Sequence, residues 1–385
     1  MTVPPPTPFA VLPRGAAIGI LGGGQLGRML AMSAAKLGFK VHIFSDAEDS
    51  PAFDVARTRV LGSYTDLAAI EAFARGVDVI TYEFENVPLE AVAAAARICP
   101  VRPGAKALAA SQDRLVEKSF LRDLGIPVAP FTQIDDEASL RAAMAQVGGA
   151  AILKTRRLGY DGKGQVRLGQ DSDPRAALTQ IGRAPAILEW FVPFDFEISI
   201  IAVRGGDGAM AFYDPPRNQH ENGILARSTV PAGVSRDVVA EAQTFARRIA
   251  DGLDYAGVLA VEFFYAESGS NSGGPGRLVV NEFAPRVHNS GHWTLEACAI
   301  SQFENHIRAV AGWPLGSTMR HSDAVMSNLI GARIDNWRDL AGEAGLCVHL
   351  YGKGEASDGR KMGHTTLILP LTPSKPGQIP TNRTP

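Results

Sequence analysis

Glu262, Asn281 and Glu282 stand inside two otherwise apolar runs, and their side chains offer only hard oxygen and amide donors. The first run, VLAVEFFY over residues 258–265, and the second, RLVVNEFA over 277–284, are rich in β-branched and aromatic residues that suit pleated strands. Residues 266–276 between them are mostly turn formers, which predicts a hairpin. Folding that loop about its midpoint sets Glu262 opposite Asn281 or Glu282. Burying unpaired carboxylates is costly, so a cation is expected between them. No Cys or His belongs to the cluster, and hard oxygens select Mg2+ or Mn2+, which fill their shells with phosphate oxygens. The alternative is a pair of strand-edge glutamates facing water.

Several other elements must position that chemistry. The second strand leads into Arg286, His288, Asn289, Ser290 and His292, a density of functional groups expected of an active-site rim. An apolar strand at 150–155 ends near Lys154, and the loop RRLGYDGKGQ over 156–165 combines glycines with cations. Such a loop can fold over a polyphosphate, or it can be an ordinary surface hairpin. It is not a P-loop, because G-x-x-x-x-G-K-[ST] is absent. Near the N-terminus, Gly22, Gly24 and Gly27 fit G-x-G-x-x-G between a strand and a helix, and a second strand ends at Asp46. The glycines admit a phosphate or a sugar, and they leave NAD open as the ligand. The βα alternation continues to about residue 112. Residues 113–124 predict a helix stopped by Gly125, 186–192 and 197–203 predict strands, and 215–225 a polar loop. Trp190 and Phe191 read as core or as the wall of a nucleobase site, and Glu197 as a residue able to accept from ribose hydroxyls. Residues 294–310 predict a helix, and 324–331 and 347–351 predict strands. By spacing alone, Lys353, Arg360 and Lys361 are solvated surface charge.

The motifs VEFF at 261–264 and VVNEFAPRVHNSGHWT at 279–294 closely resemble the N5-carboxyaminoimidazole ribonucleotide synthases, an ATP-grasp family of purine biosynthesis. The similarity runs from about Ile18 to His364. It implies ATP-dependent carboxylation of 5-aminoimidazole ribonucleotide by bicarbonate, through carboxyphosphate. It assigns ATP to Arg114, Lys154, Gly159, Tyr160, Asp161, Gly162, Lys163, Gly164, Gln165, Glu189, Trp190, Phe191, Val192, Glu197, His220, Asn281 and Glu282. It assigns the ribonucleotide to Gln25, Leu26, Glu83, Arg286, Asn289, Ser290, Lys353, Arg360 and Lys361. Asp161, Lys163, Arg286 and His288 are the implied catalytic residues, with Mg2+ on Glu262 and Glu282. A homodimer and a handover of product to the mutase of the same pathway are also implied. The competing readings are another ATP-grasp carboxylate–amine ligase and, on the glycine motif alone, a dinucleotide-dependent oxidoreductase.

The composition agrees with such an enzyme. The 385 residues are 45% hydrophobic and 20% charged with a net charge of −2, which gives no global pull toward nucleic acid or anionic membrane. Three scattered cysteines fit reduced thiols in a cytoplasmic protein. No apolar run reaches the roughly 18 residues of a membrane helix, and MTVPPPTP lacks the pattern of a signal peptide. The expected fold combines α/β and α+β parts. A Rossmann-like, pre-ATP-grasp domain spans 1–112 and an ATP-grasp domain 113–312, with its lid at about 115–192. A small C-terminal β-rich domain spans 313–370, and 371–385 form a loosely ordered tail. One prediction rests on the C-terminal cations. Because arginine grips phosphate bidentately, Arg360→Ala should raise the apparent KM for the ribonucleotide about ten- to a hundredfold. The KM for ATP should scarcely move; equal shifts for both substrates would return Arg360 to ordinary surface.

Overall fold

The structure, a computed structural model, describes residues 9–159, 162–267 and 277–372. Tyr160 and Asp161, the proline-rich arm, the hairpin loop and most of the expected loose tail lie outside the described residues. The described strands form three sheets. The first is parallel, in the order Thr58–Leu61, Lys40–Ser45, Ala17–Leu21, Val79–Tyr82. The central position of Ala17–Leu21 makes its carboxyl end a topological switch point, where ligands of α/β sheets collect. The second sheet is antiparallel, in the order Phe131–Ile134, Ala186–Trp190, Ala151–Thr155, Gln165–Leu168.

The third sheet carries the predicted hairpin at one edge. Arg277–Ala284 pairs Gly257–Ala266, which pairs Phe196–Arg204, and Arg217–Glu221 and Ile224–Val230 follow. The C-terminal strands Asp323–Ile330, Lys361–Leu369 and Leu346–Leu350 continue this sheet through Ile224–Val230 instead of forming a layer of their own. Both faces are covered, which explains why its strands read as continuous apolar runs. Val258 and Ala260 enter one core with Phe303 and Ile307 of the helix Gln302–Ala311. Leu259, Val261 and Phe263 enter another with Phe245 and Ile249 of the helix Arg236–Gly252.

Three elements differ from expectation. Residues 215–225 are not a loop: Arg217–Glu221 and Ile224–Val230 form a hairpin whose turn is Asn222 (φ 52°) and Gly223 (φ 79°). Asn-Gly between strands favours such a left-handed turn, and the polar residues of Arg217–Glu221 masked that signal. The helix expected over 294–310 is two helices, Thr294–Ala297 and Gln302–Ala311. Cys298 is extended and bridges Arg320, and Ser301 caps the second helix by accepting from the Glu304 N–H. Finally, Lys361–Leu369 is a strand in which the cationic segment ends, an element the glycines of that region concealed.

One buried histidine joins the first sheet to the third. His306 accepts from the Val258 N–H at 3.0 Å, so its Nε2 carries the proton and donates to Thr81 Oγ1 at 2.8 Å. Burial holds its pKa down to about 3. The unfolded chain therefore binds a proton that the folded chain refuses, between the ordinary value of about 6.5 and that depressed value. Stability contributed by the neutral ring is complete above the unfolded pKa and declines as pH falls below it. In His306→Gln, denaturant midpoints measured from neutral to mildly acid pH should show a shallower slope than in the parent chain. An unchanged slope would count against this account.

Candidate active site

Glu262 pairs Glu282 across the hairpin and Ser199 on its other side, so the three side chains share one face of the sheet. A bulge follows, with Phe263 opposite Val280, which leaves Asn281 as the extra residue. The expectation that Glu262 meets Asn281 or Glu282 resolves to Glu282. The expectation that no His belongs to the cluster is incorrect, and an arginine reaches it as well. Arg114 Nη1 lies 2.7 Å from Glu282 Oε2, and His288 Nε2 lies 3.1 Å from Glu262 Oε1. Burial alone would raise both carboxyls, but Arg114 holds Glu282 well below the usual range and His288 lowers Glu262. Charge balance at Glu282 thus comes from Arg114, 168 positions away in sequence.

The helix Arg114–Asp123 supplies that balance. Asp113 caps it, accepting from the Leu115 N–H, and Arg156 pairs Asp113 at 2.7 Å. One helical turn beyond Arg114, Lys118 is fully buried and donates to the Asn281 carbonyl at 2.6 Å. It also lies 3.6 Å from Glu189 Oε2, which accepts from Lys154 at 2.9 Å. Glu117 accepts from the Phe283 N–H at 2.7 Å; burial and then Glu282 push its pKa up. Lys118 and Glu117 were not anticipated, although the i, i+4 spacing from Arg114 to Lys118 was available as a signal. Two buried oxygens, Glu189 Oε1 and Asn281 Oδ1, find no hydrogen-bond partner among the described residues. Buried acceptors of this kind are normally satisfied, so both point to a bound group.

The glycine loop reaches this cluster: Arg114 Nη2 donates to the Gly159 carbonyl at 3.1 Å. Gln165 pairs Lys154 in register, and a Cβ on Gly162 would fall 3.1 Å from the Asn222 carbonyl oxygen. A Cβ on Gly164 would fall 2.6 Å from Thr155 Oγ1, whereas Lys163 is exposed. Trp190 and Phe191 are half-buried, with Arg167 over the Phe191 ring at 4.5 Å, and Val192 is buried against Val279. His220 Nδ1 stands 3.2 Å from Glu197 Oε2, within ion-pair range. Burial opposes protonation of His220, yet Glu197 raises its pKa. One ligand atom each of Glu197, His220 and Glu262 lie within 4.8 Å of one another.

Of the predicted ribonucleotide residues, Gln25, Leu26 and Glu83 lie at the switch point of the first sheet. Glu83 turns back into the glycine turn, where the Gly24 N–H donates to Oε1 and the Gly27 N–H donates to Oε2 at 2.6 Å. A Cβ on Gly22 would fall 2.1 Å from Glu83 Cγ. The donors that hold pyrophosphate in a dinucleotide fold are thus occupied by an internal carboxylate, and the oxidoreductase reading fails on that contact. Gln25 and Leu26 open the helix directly beyond this turn. Burial raises the Glu83 pKa, opposed by these N–H groups and by the charges of Arg286 and Lys353. Arg286 itself pairs Glu85 at 2.5 Å, a partner not foreseen. Lys353 donates to the Lys361 carbonyl at 2.9 Å, whereas Arg360 turns to the Glu355 carbonyl at 2.9 Å. Asn289 and Asn328 exchange amide hydrogen bonds of 3.0 and 2.5 Å, tying the loop after the hairpin to the C-terminal strand.

Comparison with known proteins places this geometry in a family. Residues 16–112 match the ribonucleotide synthetase preATP-grasp domain, 119–303 the ATP-grasp domain, and 324–372 the phosphoribosylaminoimidazole carboxylase C-terminal domain. An N5-carboxyaminoimidazole ribonucleotide synthase of Brucella melitensis is 52% identical over 93% of this chain and 98% of its own length. The chain belongs to the N5-carboxyaminoimidazole ribonucleotide synthase family. Solved structures of that family agree. An N5-carboxyaminoimidazole synthetase from Staphylococcus aureus complexed with ADP superposes with a TM-score of 0.88 at 37% identity, covering 94% of this chain and 95% of that one. The Aspergillus clavatus synthase in complex with ADP and 5-aminoimidazole ribonucleotide superposes at 0.86 and 32% identity, over 93% and 95%. Within this synthase fold, the buried Lys118 links Glu189 of the second sheet to the hairpin main chain at Asn281. Lys118→Met should cost roughly 3–5 kcal/mol of folding stability, because it strips a buried carboxylate and a carbonyl of one donor. Urea unfolding checks this; a loss below about 1 kcal/mol would show that Lys154 alone suffices.

Proposed function

We propose that this chain is an ATP-dependent ligase that joins bicarbonate to the exocyclic amine of 5-aminoimidazole ribonucleotide. The products are N5-carboxyaminoimidazole ribonucleotide, ADP and phosphate, a step of purine biosynthesis. The observation that carries this reading is the buried face where Glu262 and Glu282 meet Arg114 and Lys154, within reach of Arg286 and His288. One end suits a nucleoside triphosphate and the other suits small anions and a ribonucleotide.

Bicarbonate is a poor electrophile. An oxygen of bicarbonate therefore attacks the γ-phosphorus, ADP leaves, and carboxyphosphate forms. The amine then attacks its carbonyl carbon, the C–O bond to phosphate breaks, and the amine proton leaves with phosphate. Lys154 and Arg114 neutralise charge at the transferring phosphoryl group. Glu189 Oε1 is an acceptor suited to the adenine amine, the N–H donor that ATP carries. Arg286 and His288 hold bicarbonate and then carboxyphosphate, and Lys163 with Asp161 closes over the reacting centre to exclude water. Gln25, Leu26 and Glu83 contact the ribonucleotide, with Lys353, Arg360 and Lys361 at its phosphate.

Glu262, Glu282 and the unpartnered Asn281 Oδ1 form a hard-oxygen set that fits Mg2+, or Mn2+ in its place. When bound, the metal supplies charge neutralisation to the polyphosphate. We further infer a division near residues 112 and 312 into the three domains expected, a cytoplasmic location, a homodimer, and handover of the unstable product to the pathway's mutase. The test measures ADP release with ATP, Mg2+, bicarbonate and 5-aminoimidazole ribonucleotide, each omitted in turn, for the parent chain and Glu282→Gln. Release should be fastest with all four present, and labelled bicarbonate should enter the imidazole product. The variant should keep its fold and lose turnover. Label that never reaches the imidazole would sink the acceptor assignment. Near-normal turnover in Glu282→Gln, with an unchanged metal requirement, would sink the metal ligands.

A further inference from the structure

A line of hydrogen bonds runs across the third sheet beneath His288, through Ser228, Asn218 and Ser199, which have no role in the reaction described above, to Ser290. Ser228 Oγ donates to Asn218 Oδ1 at 2.7 Å, and Asn218 Nδ2 donates to Ser199 Oγ at 3.0 Å. Ser199 Oγ lies 2.7 Å from Ser290 Oγ, which lies 2.9 Å from His288 Nδ1. Ser199, Ser228 and Ser290 are wholly buried and Asn218 is nearly so, which leaves these groups one another as partners. The sheet creates the line: Ser199 pairs Glu262, and Asn218 pairs both Glu197 and Ser228, so all face the same side.

The direction of the line is determined by one bond. The main-chain N–H of Ser290 points at His288 Nδ1, 3.3 Å away, and a main-chain N–H can only donate. Nδ1 must therefore present its lone pair. The Ser290 hydroxyl then donates to Nδ1 as well, and it accepts from the Ser199 hydroxyl. Ser199 in turn accepts from the Asn218 amide, whose carbonyl oxygen accepts from Ser228. The Ser199 and Ser290 hydroxyls each donate once and accept once, with no donor facing a donor. The ring proton is left on Nε2, 3.1 Å from Glu262 Oε1. The opposite tautomer would set two lone pairs against each other there and two protons against each other at Nδ1. The backbone of His288 is held independently: Gln302, fully buried, accepts from its N–H at 3.0 Å and donates to its carbonyl at 2.7 Å.

We propose that Ser199, Asn218 and Ser290 are positioning residues that fix His288 as the Nε2–H tautomer, so that the imidazole meets an anion as a hydrogen-bond donor and not as a base. The kinetic consequence rests on the reaction proposed above, whereas the tautomer does not. The experiment uses the full chain with ¹⁵N-labelled histidine, without substrates, at a pH above the ordinary imidazole pKa of about 6.5. The His288 signals, identified by their loss in His288→Asn, should show a protonated Nε2 and an unprotonated Nδ1. A protonated Nδ1 in the parent chain overturns the proposal, whatever the acceptor substrate proves to be.

Asn218→Asp then tests the relay. A carboxylate at 218 accepts from both serines, which turns the Ser199 and Ser290 hydroxyls around, sets a lone pair of Ser290 Oγ against Nδ1 and so favours a proton on Nδ1 against the longer 3.3 Å contact of the Ser290 N–H. That variant should shift the His288 proton to Nδ1 and lower kcat roughly ten- to a hundredfold, the range for outer partners of a reacting group. The KM for ATP should stay near that of the parent. An unshifted tautomer with unchanged kcat overturns the proposal. Should Asn218→Asp fail to fold, Ser199→Ala replaces it. That variant breaks the line without adding charge and should give mixed His288 tautomers with reduced kcat; a single unchanged tautomer at full kcat is again the overturning result.

Discussion

Glu117, Lys118, Lys154 and Glu189 are buried together beside the half-buried Arg114 and Glu282, and the packing of the second sheet against the hairpin depends on that shared cluster. The helix Arg114–Asp123 contributes three of these groups, strands of the second sheet contribute Lys154 and Glu189, and the hairpin contributes Glu282. None of these elements could bury its own charges alone at tolerable cost. Packed together, each ion finds a partner and the main chain of the hairpin gains two anchors, at Asn281 and Phe283. A buried ion cluster is weak evidence for stability, but it specifies one arrangement, since any slip strands a charge.

The register of the third sheet is the second constraint. Glu282, Glu262, Ser199, Asn218 and Ser228 occupy one face of adjacent strands, and Asn328, His364 and His349 continue a polar row into the C-terminal strands. The opposite face of the same strands is apolar and packs against the helix Arg236–Gly252. A shift of one residue in any strand would exchange the two sets. The C-terminal strands are therefore part of the active sheet, which is why Asn328 reaches Asn289 and why the segment 353–364 approaches Glu83 and His220.

The glycine turn shows how a common local motif changes meaning through one distant contact. Gly22, Gly24 and Gly27 form the strand–turn–helix that their spacing predicts. The Gly24 and Gly27 amides are nevertheless occupied by Glu83, which follows the neighbouring parallel strand Val79–Tyr82. The same helix terminus that would attract a pyrophosphate holds a carboxylate of the protein.

The sequence by itself determined the hairpin, its two glutamates, the parallel N-terminal layer and the glycine loop. Each depends on local periodicity, turn chemistry or a contiguous motif. The resemblance carried by residues 261–264 and 279–294 also determined the family. Only the tertiary structure decided which charges meet. Arg114 reaches Glu282 across 168 positions of chain, and Arg286 reaches Glu85 across 201. Neither pairing leaves a periodic trace. The hairpin at Arg217–Glu221, the break at Cys298 and the relay beneath His288 belong to the same class. Their residues are polar or unremarkable in isolation and acquire partners only when strands distant in sequence lie side by side. Local pattern records what a segment can become; the pairing of buried polar groups is recorded in the packing, because each must find its partner wherever the fold brings one.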